Sequence, residues 1–287
     1  MILTTNTKVA LASIAYRAIG IGRAIVGKNN CATVRRGGIQ WCLDLSEGID
    51  FSIYLLGAFE RATALTLQKL VGPGDTVFDI GANIGAHTLG LARSVGPTGR
   101  VFAFEPADFA FAKLKRNLAL NPELEMRTHA HQILLAAEPP APPQPEVYAS
   151  WPLKGDGSVH PKHRGRLVTT LHASADTLDS FVEREGIDHL NLIKIDVDGH
   201  EYPVLKGGLR TLTEFLPVLV MEMSPYVHAE QGHSFDALVA LLRNAGYSLQ
   251  DASTWKPLPL WAEELEALIP NGASINVIAR AGRTPRP

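Results

Sequence analysis

At 287 residues, with 46% hydrophobic and 20% charged content, the chain suits one large domain, or one domain with an N-terminal extension, built around a sizeable core. A net charge of −2 excludes a chain-wide electrostatic attraction to nucleic acid or anionic membrane. Two cysteines, Cys31 and Cys42, are too few and too loosely spaced for a disulfide framework or a zinc site, so a reducing, cytoplasmic compartment is expected.

Residues 1–70 read as a lead-in to a domain spanning 71–287. Met1 to Gly27 is apolar but interrupted by Lys8, Arg17, Gly20, Gly22 and Arg23, so no run reaches the roughly 18 apolar residues that a spanning helix needs. Arg17 also breaks the pattern of a signal peptide, and no cleavage site follows. The expectation is an amphipathic helix packed on the domain, with membrane-surface association as the lesser alternative. Cys31 to Leu45 reads as short strands around the turn Gly37-Gly38, followed by a helix from about Asp50 to Leu70. Val71-Gly-Pro-Gly-Asp75 is a turn that feeds the first core strand.

From there apolar β-type runs alternate with helical periodicity. The spacing predicts strands near 76–81, 100–105, 125–131, 190–196, 217–223, 246–250 and 274–280, and helices near 84–94, 108–119, 177–184, 200–213 and 234–245. Such alternation is the signature of an α/β fold: a mostly parallel, twisted sheet with helices on both faces. The Pro-rich run Glu138-Pro-Pro-Ala-Pro-Pro-Gln-Pro145 interrupts it, and the insertion at 138–166 reads as a loop. A lid over a substrate, a partner-binding segment and a tolerated insertion are all compatible with it. Within it, Pro161-Lys-His-Arg-Gly-Arg166 is locally basic: a solvated loop, or a contact for an anionic substrate.

Two stretches carry chemistry. In Thr76-Val-Phe-Asp-Ile-Gly-Ala-Asn-Ile-Gly-Ala-His-Thr-Leu-Gly90 an apolar strand ends in a glycine turn at which a helix begins, the place where open α/β sheets bind nucleotides. The spacing departs from the dinucleotide fingerprint, because Ala82, Asn83 and Ile84 stand where a diphosphate would press, between Gly81 and Gly85. Asp79 adds a negative charge beside the turn. A nucleoside with a cationic group, such as S-adenosyl-L-methionine, suits these residues better than NAD. One strand later Glu105, 24 positions beyond Gly81, sits at a strand tip where a carboxylate accepts hydrogen bonds from ribose hydroxyls. Pro106 stops that strand and Asp108 is placed to cap the next helix. Asp79, Gly81, Ala82, Asn83, Gly85 and Glu105 are thus candidate cofactor residues, and Gln132, beside His131 after the third strand, is positioned to approach the adenine.

The second stretch is Asn191-Leu-Ile-Lys-Ile-Asp-Val-Asp-Gly-His-Glu-Tyr202. Asp196 lies at the carboxyl end of its strand, on the ligand edge of the sheet, either as a cofactor contact or as a base. His200 is a second candidate base, and the strand Pro217 to Met223 delivers Glu222 to the same edge. Methyl transfer needs an aligned nucleophile and, at most, removal of its proton. Asp198 and Glu201 also match a helix capping box. Asp196, Asp198 and Glu222 could alternatively hold Mg²⁺, but no metal site is assigned. His87 reads as packing on its helix or capping it.

Together these residues resemble the FkbM family of S-adenosylmethionine-dependent methyltransferases. The match runs through Asp79-Ile-Gly-Ala-Asn-Ile-Gly85 with Thr88, Phe104-Glu-Pro106, Asp176-Thr-Leu-Asp-Ser-Phe181, Ile193 to Tyr202, Val204-Leu-Lys-Gly207 and the strand reaching Glu222, about residues 70–250. Gly48-Ile-Asp-Phe51 and Gly57-Ala-Phe-Glu60 are similar to segments that precede the core in many members. The resemblance implies a Rossmann-like class I methyltransferase fold, S-adenosyl-L-methionine as cofactor, and methylation of a hydroxyl on a small molecule or saccharide. Asp198 departs from it, since members commonly carry Glu there, and the Pro-rich insertion has no counterpart. A nucleic-acid acceptor is not expected, because the chain lacks a broad basic face and the motifs of base methylation. An NAD-dependent oxidoreductase and a non-catalytic nucleoside-binding module are the other classes considered, and self-association is left open.

Overall fold

Val77, Phe78, Ile80 and their neighbours form a strand that is buried along its whole length, and the rest of the molecule is arranged around it. The computed structural model describes residues 5–138, 146–149, 152–153, 165–230 and 232–282. Most of the Pro-rich insertion, including Lys162, His163 and Arg164, lies outside the described residues.

The lead-in consists of a helix, Thr5–Ile25, and an antiparallel hairpin of β1 (Cys31–Arg36) and β2 (Ile39–Asp44). The single helix expected over 50–70 is two, Gly48–Leu56 and Arg61–Leu70. Gly57 ends the first in a left-handed cap at φ 81°, and Glu60 starts the second at φ 41°. This break turns Phe59 and Glu60 toward the cavity described below.

The remaining strands are β3 (Thr76–Ile80), β4 (Arg100–Phe104), β5 (Thr128–His131), β6 (Ile133–Leu135), β7 (Glu146–Ala149), β8 (Arg166–Thr169), β9 (Ser174–Asp176), β10 (Leu192–Ile195), β11 (Val218–Met223), β12 (Tyr247–Asp251), β13 (Pro257–Leu258) and β14 (Ile275–Ala281). Eight of them form one sheet in the order β13-β12-β14-β11-β10-β3-β4-β5. The run from β11 to β5 is parallel, while β14 inserts antiparallel between β11 and β12. β3 and β10 are buried at every position, as central strands covered on both faces must be.

Each face has its own core. Phe78, Phe104 and Phe181 meet edge to face on one side, with Phe181 4.7 Å from Phe104 and 5.8 Å from Phe78. On the other side Val77, Val101, Leu192 and Val220 pack with Tyr16, Trp41, Leu43 and Phe51. The lead-in therefore supplies part of the core that the sheet's second face requires. Helix starts shift from the sequence expectation where turns intervene. The first core helix is Thr88–Ser94, because residues 83–87 form a turn, and the helix expected over 200–213 is split into Glu201–Lys206 and Leu209–Phe215. The chain runs from β3 outward through β4 to β5, then returns to the opposite side at β10. The crevice between β3 and β10 is thus the topological switch point at which ligands bind in open α/β sheets.

Candidate functional site

The turn after β3 is built by backbone hydrogen bonds and one carboxylate. The N–H groups of Gly81 and Ala82 donate to the Phe104 carbonyl at 3.0 and 2.9 Å. Asn83 takes the left-handed conformation (φ 49°) and accepts from the Ile84 N–H at 2.9 Å through its own Oδ1. Its N–H donates to Glu105 Oε2 at 2.8 Å, and Ala107 N–H donates to Glu105 Oε1 at 2.9 Å. Glu105 ties the tip of β4 to the turn. Burial pushes its carboxyl up to about 7, against the pull of the Ala107 and Asn83 hydrogen bonds.

Gly81 is dictated by a neighbouring strand. It sits at φ 77°, and a Cβ there would lie 1.9 Å from the carbonyl oxygen of Asp196. At Gly85 (φ 90°) a Cβ would meet Leu89 and Leu114 side chains at 2.5 and 2.9 Å. Gly85, expected at the cofactor turn, does not line the cavity; it makes room for packing against the following helices.

Asp79 also departs from expectation. Instead of presenting its charge to a ligand it is completely buried, accepting from Thr88 Oγ1 at 2.6 Å and pairing with Lys194 Nζ at 3.1 Å. The two residues are register partners across β3 and β10, so the pairing follows directly from the sheet. Lys194 Nζ also donates to the Gly81 carbonyl at 2.8 Å and lies 3.9 Å from Asp196. Burial would lower its pKa, but Asp79 and Asp196 outweigh that and the net direction is up.

Above the turn lies a cavity of about 220 Å³ lined by the carboxyl ends of β3, β4, β10 and β11. Gly81, Ala82, Asn83, Glu105, Asp196, His200 and Glu222 all line it, as does Asp198. Gln132 does not. Its Nε2 turns away to Asp108 Oδ1 at 2.5 Å, and the apolar side chains that follow it, Ile133, Leu134 and Leu135, face the cavity instead. His131 stacks over Phe104 with ring centroids 5.7 Å apart. Asp108 is the first helical residue rather than the cap, which falls on Ala107 without a side-chain bond.

The expected capping box is half present. Glu201 Oε1 accepts from the Val197 and Gly199 N–H groups at 3.3 and 3.4 Å, but Asp198 does not cap. It adopts φ 47° and lines the cavity, and burial, then Asp196, then Glu201 raise its carboxyl to about 8. Glu222 accepts from Ser274 Oγ at 2.5 Å, and burial together with Asp196 and Glu60 holds its carboxyl well above the usual range. His200 is pulled down to about 4, by burial first and by His233 second, their rings 5.6 Å apart. Among the described residues no three His, Cys, Asp or Glu side chains are grouped to hold a metal ion.

Among the lining residues not assigned from sequence are the polar side chains of Glu60, His87, Glu146 and Lys194. His87 packs on Phe59 at 5.9 Å and stands at the helix N-cap without capping it; its ring nitrogens have no hydrogen-bond partner among the described residues. Burial, then Lys194, lowers it to about 4. Lys194 carried a readable signal, since a lysine between Ile193 and Ile195 in a buried strand requires a counter-charge.

The family model described as "Methyltransferase FkbM domain" matches residues 79–249. The chain belongs to the FkbM methyltransferase family. Its cofactor is therefore S-adenosyl-L-methionine, and the sheet that carries the site is mixed and mostly parallel. Among the relatives of this FkbM methyltransferase are "Methyltransferase 1" of Beauveria bassiana, 26% identical over 199 residues (64% of this chain, 78% of that protein), and "31-O-demethyl-FK506 methyltransferase FkbM" of Streptomyces tacrolimicus, 29% identical over 198 residues (62% and 74%). A third, "Hexuronic acid methyltransferase AglP" of Haloferax volcanii, is 28% identical over 153 residues (51% and 55%). The cavity is chemically compatible with that cofactor, combining apolar lining residues such as Ile133 and Leu135 with the carboxyl groups of Glu105 and Asp196. Among the described residues no helix is long and apolar enough to cross a membrane.

Proposed function

We propose that this FkbM methyltransferase transfers a methyl group to a hydroxyl oxygen of a small molecule or saccharide. The observation that carries the reading is one cavity shared by Glu105 on the cofactor side and by Asp196, His200 and Glu222 at the ends of the neighbouring strands. The relatives' names support it in part, since a 31-O-demethyl compound offers a free hydroxyl and a hexuronic acid is a saccharide. We place the reaction in the cytoplasm, on the cysteine usage of the chain.

S-adenosyl-L-methionine, when bound, supplies a methyl carbon made electrophilic by its sulfonium. The turn at Gly81, Ala82 and Asn83 and the Glu105 carboxylate hold the nucleoside, and the residues at the β10 and β11 tips orient the acceptor and receive its proton. His200 is neutral at physiological pH and able to accept one. Glu222, its carboxyl held well above the ordinary range by burial, Asp196 and Glu60, orients the acceptor from the same edge. Asp196, at the tip nearest Lys194, is the alternative base.

Replacing His200 by Gln, or Asp196 by Asn, is expected to lower kcat by about 10²–10⁴ in whichever variant removes the base, with cofactor affinity changed less than about threefold. With His200 as base, the acidic limb of the kcat profile lies near 4 instead of 6.5. Turnover of an acceptor panel over pH 4–8 separates the two residues, and wild-type rates in both variants would remove the base from this edge.

Glu105 makes the cofactor step pH-dependent. Its folded pKa, about 7, stands above the ordinary value of 4.5, so its contribution to unliganded stability is present at low pH and is lost as pH climbs through 7. Cofactor binding has the opposite sign, because ribose hydroxyls and a sulfonium favour the ionised carboxylate. Calorimetry should show S-adenosyl-L-methionine binding about tenfold weaker at pH 6 than at pH 8. Glu105→Gln should flatten that dependence and weaken binding by about 1.5–3 kcal/mol. An unaltered pH profile in the variant would take Glu105 out of the cofactor site.

A further inference from the structure

The N-terminal helix is apolar on two opposite faces. Ala12, Ala15, Tyr16 and Ile19 pack into the core beneath the sheet. On the other side Ala10, Ile14, Ala18, Ile21 and Ile25 recur at helical spacing as an exposed stripe. Ile14, Ile21, Ile25 and the adjoining Val26 are 65–80% exposed. A helix that merely covers a domain turns polar residues outward, and an exposed run of this kind marks an interaction surface.

The patch continues beyond the helix. Arg23 reaches the Tyr54 ring at 5.8 Å and Arg36 reaches it at 5.5 Å, which sets the exposed Leu55 and Leu56 beside the helix C-terminus. Charge identifies the partner. Residues 1–43 contain Lys8, Arg17, Arg23, Lys28, Arg35 and Arg36 and no Asp or Glu, in a chain whose net charge is −2. A segment that carries an exposed apolar stripe and only basic charges in its sequence matches a surface that is apolar within and anionic at its rim.

We propose that this face docks the enzyme, in the plane of the interface, on an anionic lipid bilayer. The isoleucines enter the headgroup boundary and the basic residues meet the lipid charge. Membrane association of this kind is peripheral, in keeping with the absence of a spanning helix among the described residues.

The full chain should co-sediment with vesicles of phosphatidylcholine mixed with phosphatidylglycerol, at least about tenfold more strongly than with phosphatidylcholine alone, and release as salt is raised. The triple variant I14S/I21S/I25S should lose at least about tenfold in vesicle partition while keeping the wild-type thermal midpoint and cofactor affinity, since its side chains are exposed. Absence of co-sedimentation, equal binding to neutral vesicles, or wild-type partition of the triple variant would each overturn the proposal. So would light scattering that shows a homo-oligomer dissolved by the same three substitutions, which would assign the face to a second copy.

Discussion

Replacing Lys194 by Met is expected to destabilise the protein by about 3–5 kcal/mol, the cost of leaving a buried carboxylate without its counter-charge. Asp79 is completely buried, and without the ammonium its remaining partner is the Thr88 hydroxyl at 2.6 Å. The Gly81 carbonyl loses a donor at 2.8 Å in the same substitution, so the glycine turn slackens along with the strand beneath it. Adding Asp79→Asn should recover at least half of the loss, because an amide retains a hydrogen-bonding group for Thr88 and carries no charge. Urea denaturation of the single and double variants measures this. A loss below about 1 kcal/mol, or no recovery in the double variant, would show that the pair does not anchor the site.

Gly81→Ala should cost about 3 kcal/mol or more and abolish cofactor binding, whereas Gly85→Ala should cost less. Both positions have positive φ, so both variants carry a left-handed strain of about 1–2 kcal/mol. They differ in what the new methyl meets. At Gly81 it lands 1.9 Å from the backbone carbonyl of Asp196, which cannot move without parting β3 from β10. At Gly85 the obstacles at 2.5 and 2.9 Å are the terminal methyls of Leu89 and Leu114, which can adopt other rotamers. Denaturation and calorimetry with S-adenosyl-L-methionine rank the two. Equal stability in both variants, or wild-type cofactor affinity in Gly81→Ala, would mean that the Asp196 backbone does not close over the turn.

The turn and strand tips were legible because they depend on local pattern. The runs ending at Ile80, Phe104 and Ile195 are apolar and short, glycine follows the first, and carboxylates stand at the ends of the others. Gln132 was misread because position after a strand does not tell which way a side chain turns, and Asp108 captures it. Asp198 was misread as a cap because its spacing to Glu201 is correct, while its φ of 47° is set by the loop around it. The break at Gly57 was hidden inside a run of good helix formers, although it delivers Phe59 and Glu60 to the cavity.

By itself the sequence determined the α/β alternation, the FkbM motifs and the set of chemical groups at the sheet edge, since hydrophobic period and turn chemistry are properties of neighbours along the chain. Only the tertiary structure decided how those charges are used. Lys194 and Asp79 are far apart in sequence and adjacent in register, so neither alone reveals that the acid is neutralised by the base. The same holds for Gly81: its need for a bare backbone comes from the Asp196 carbonyl, a neighbour that exists only once two distant strands are laid side by side.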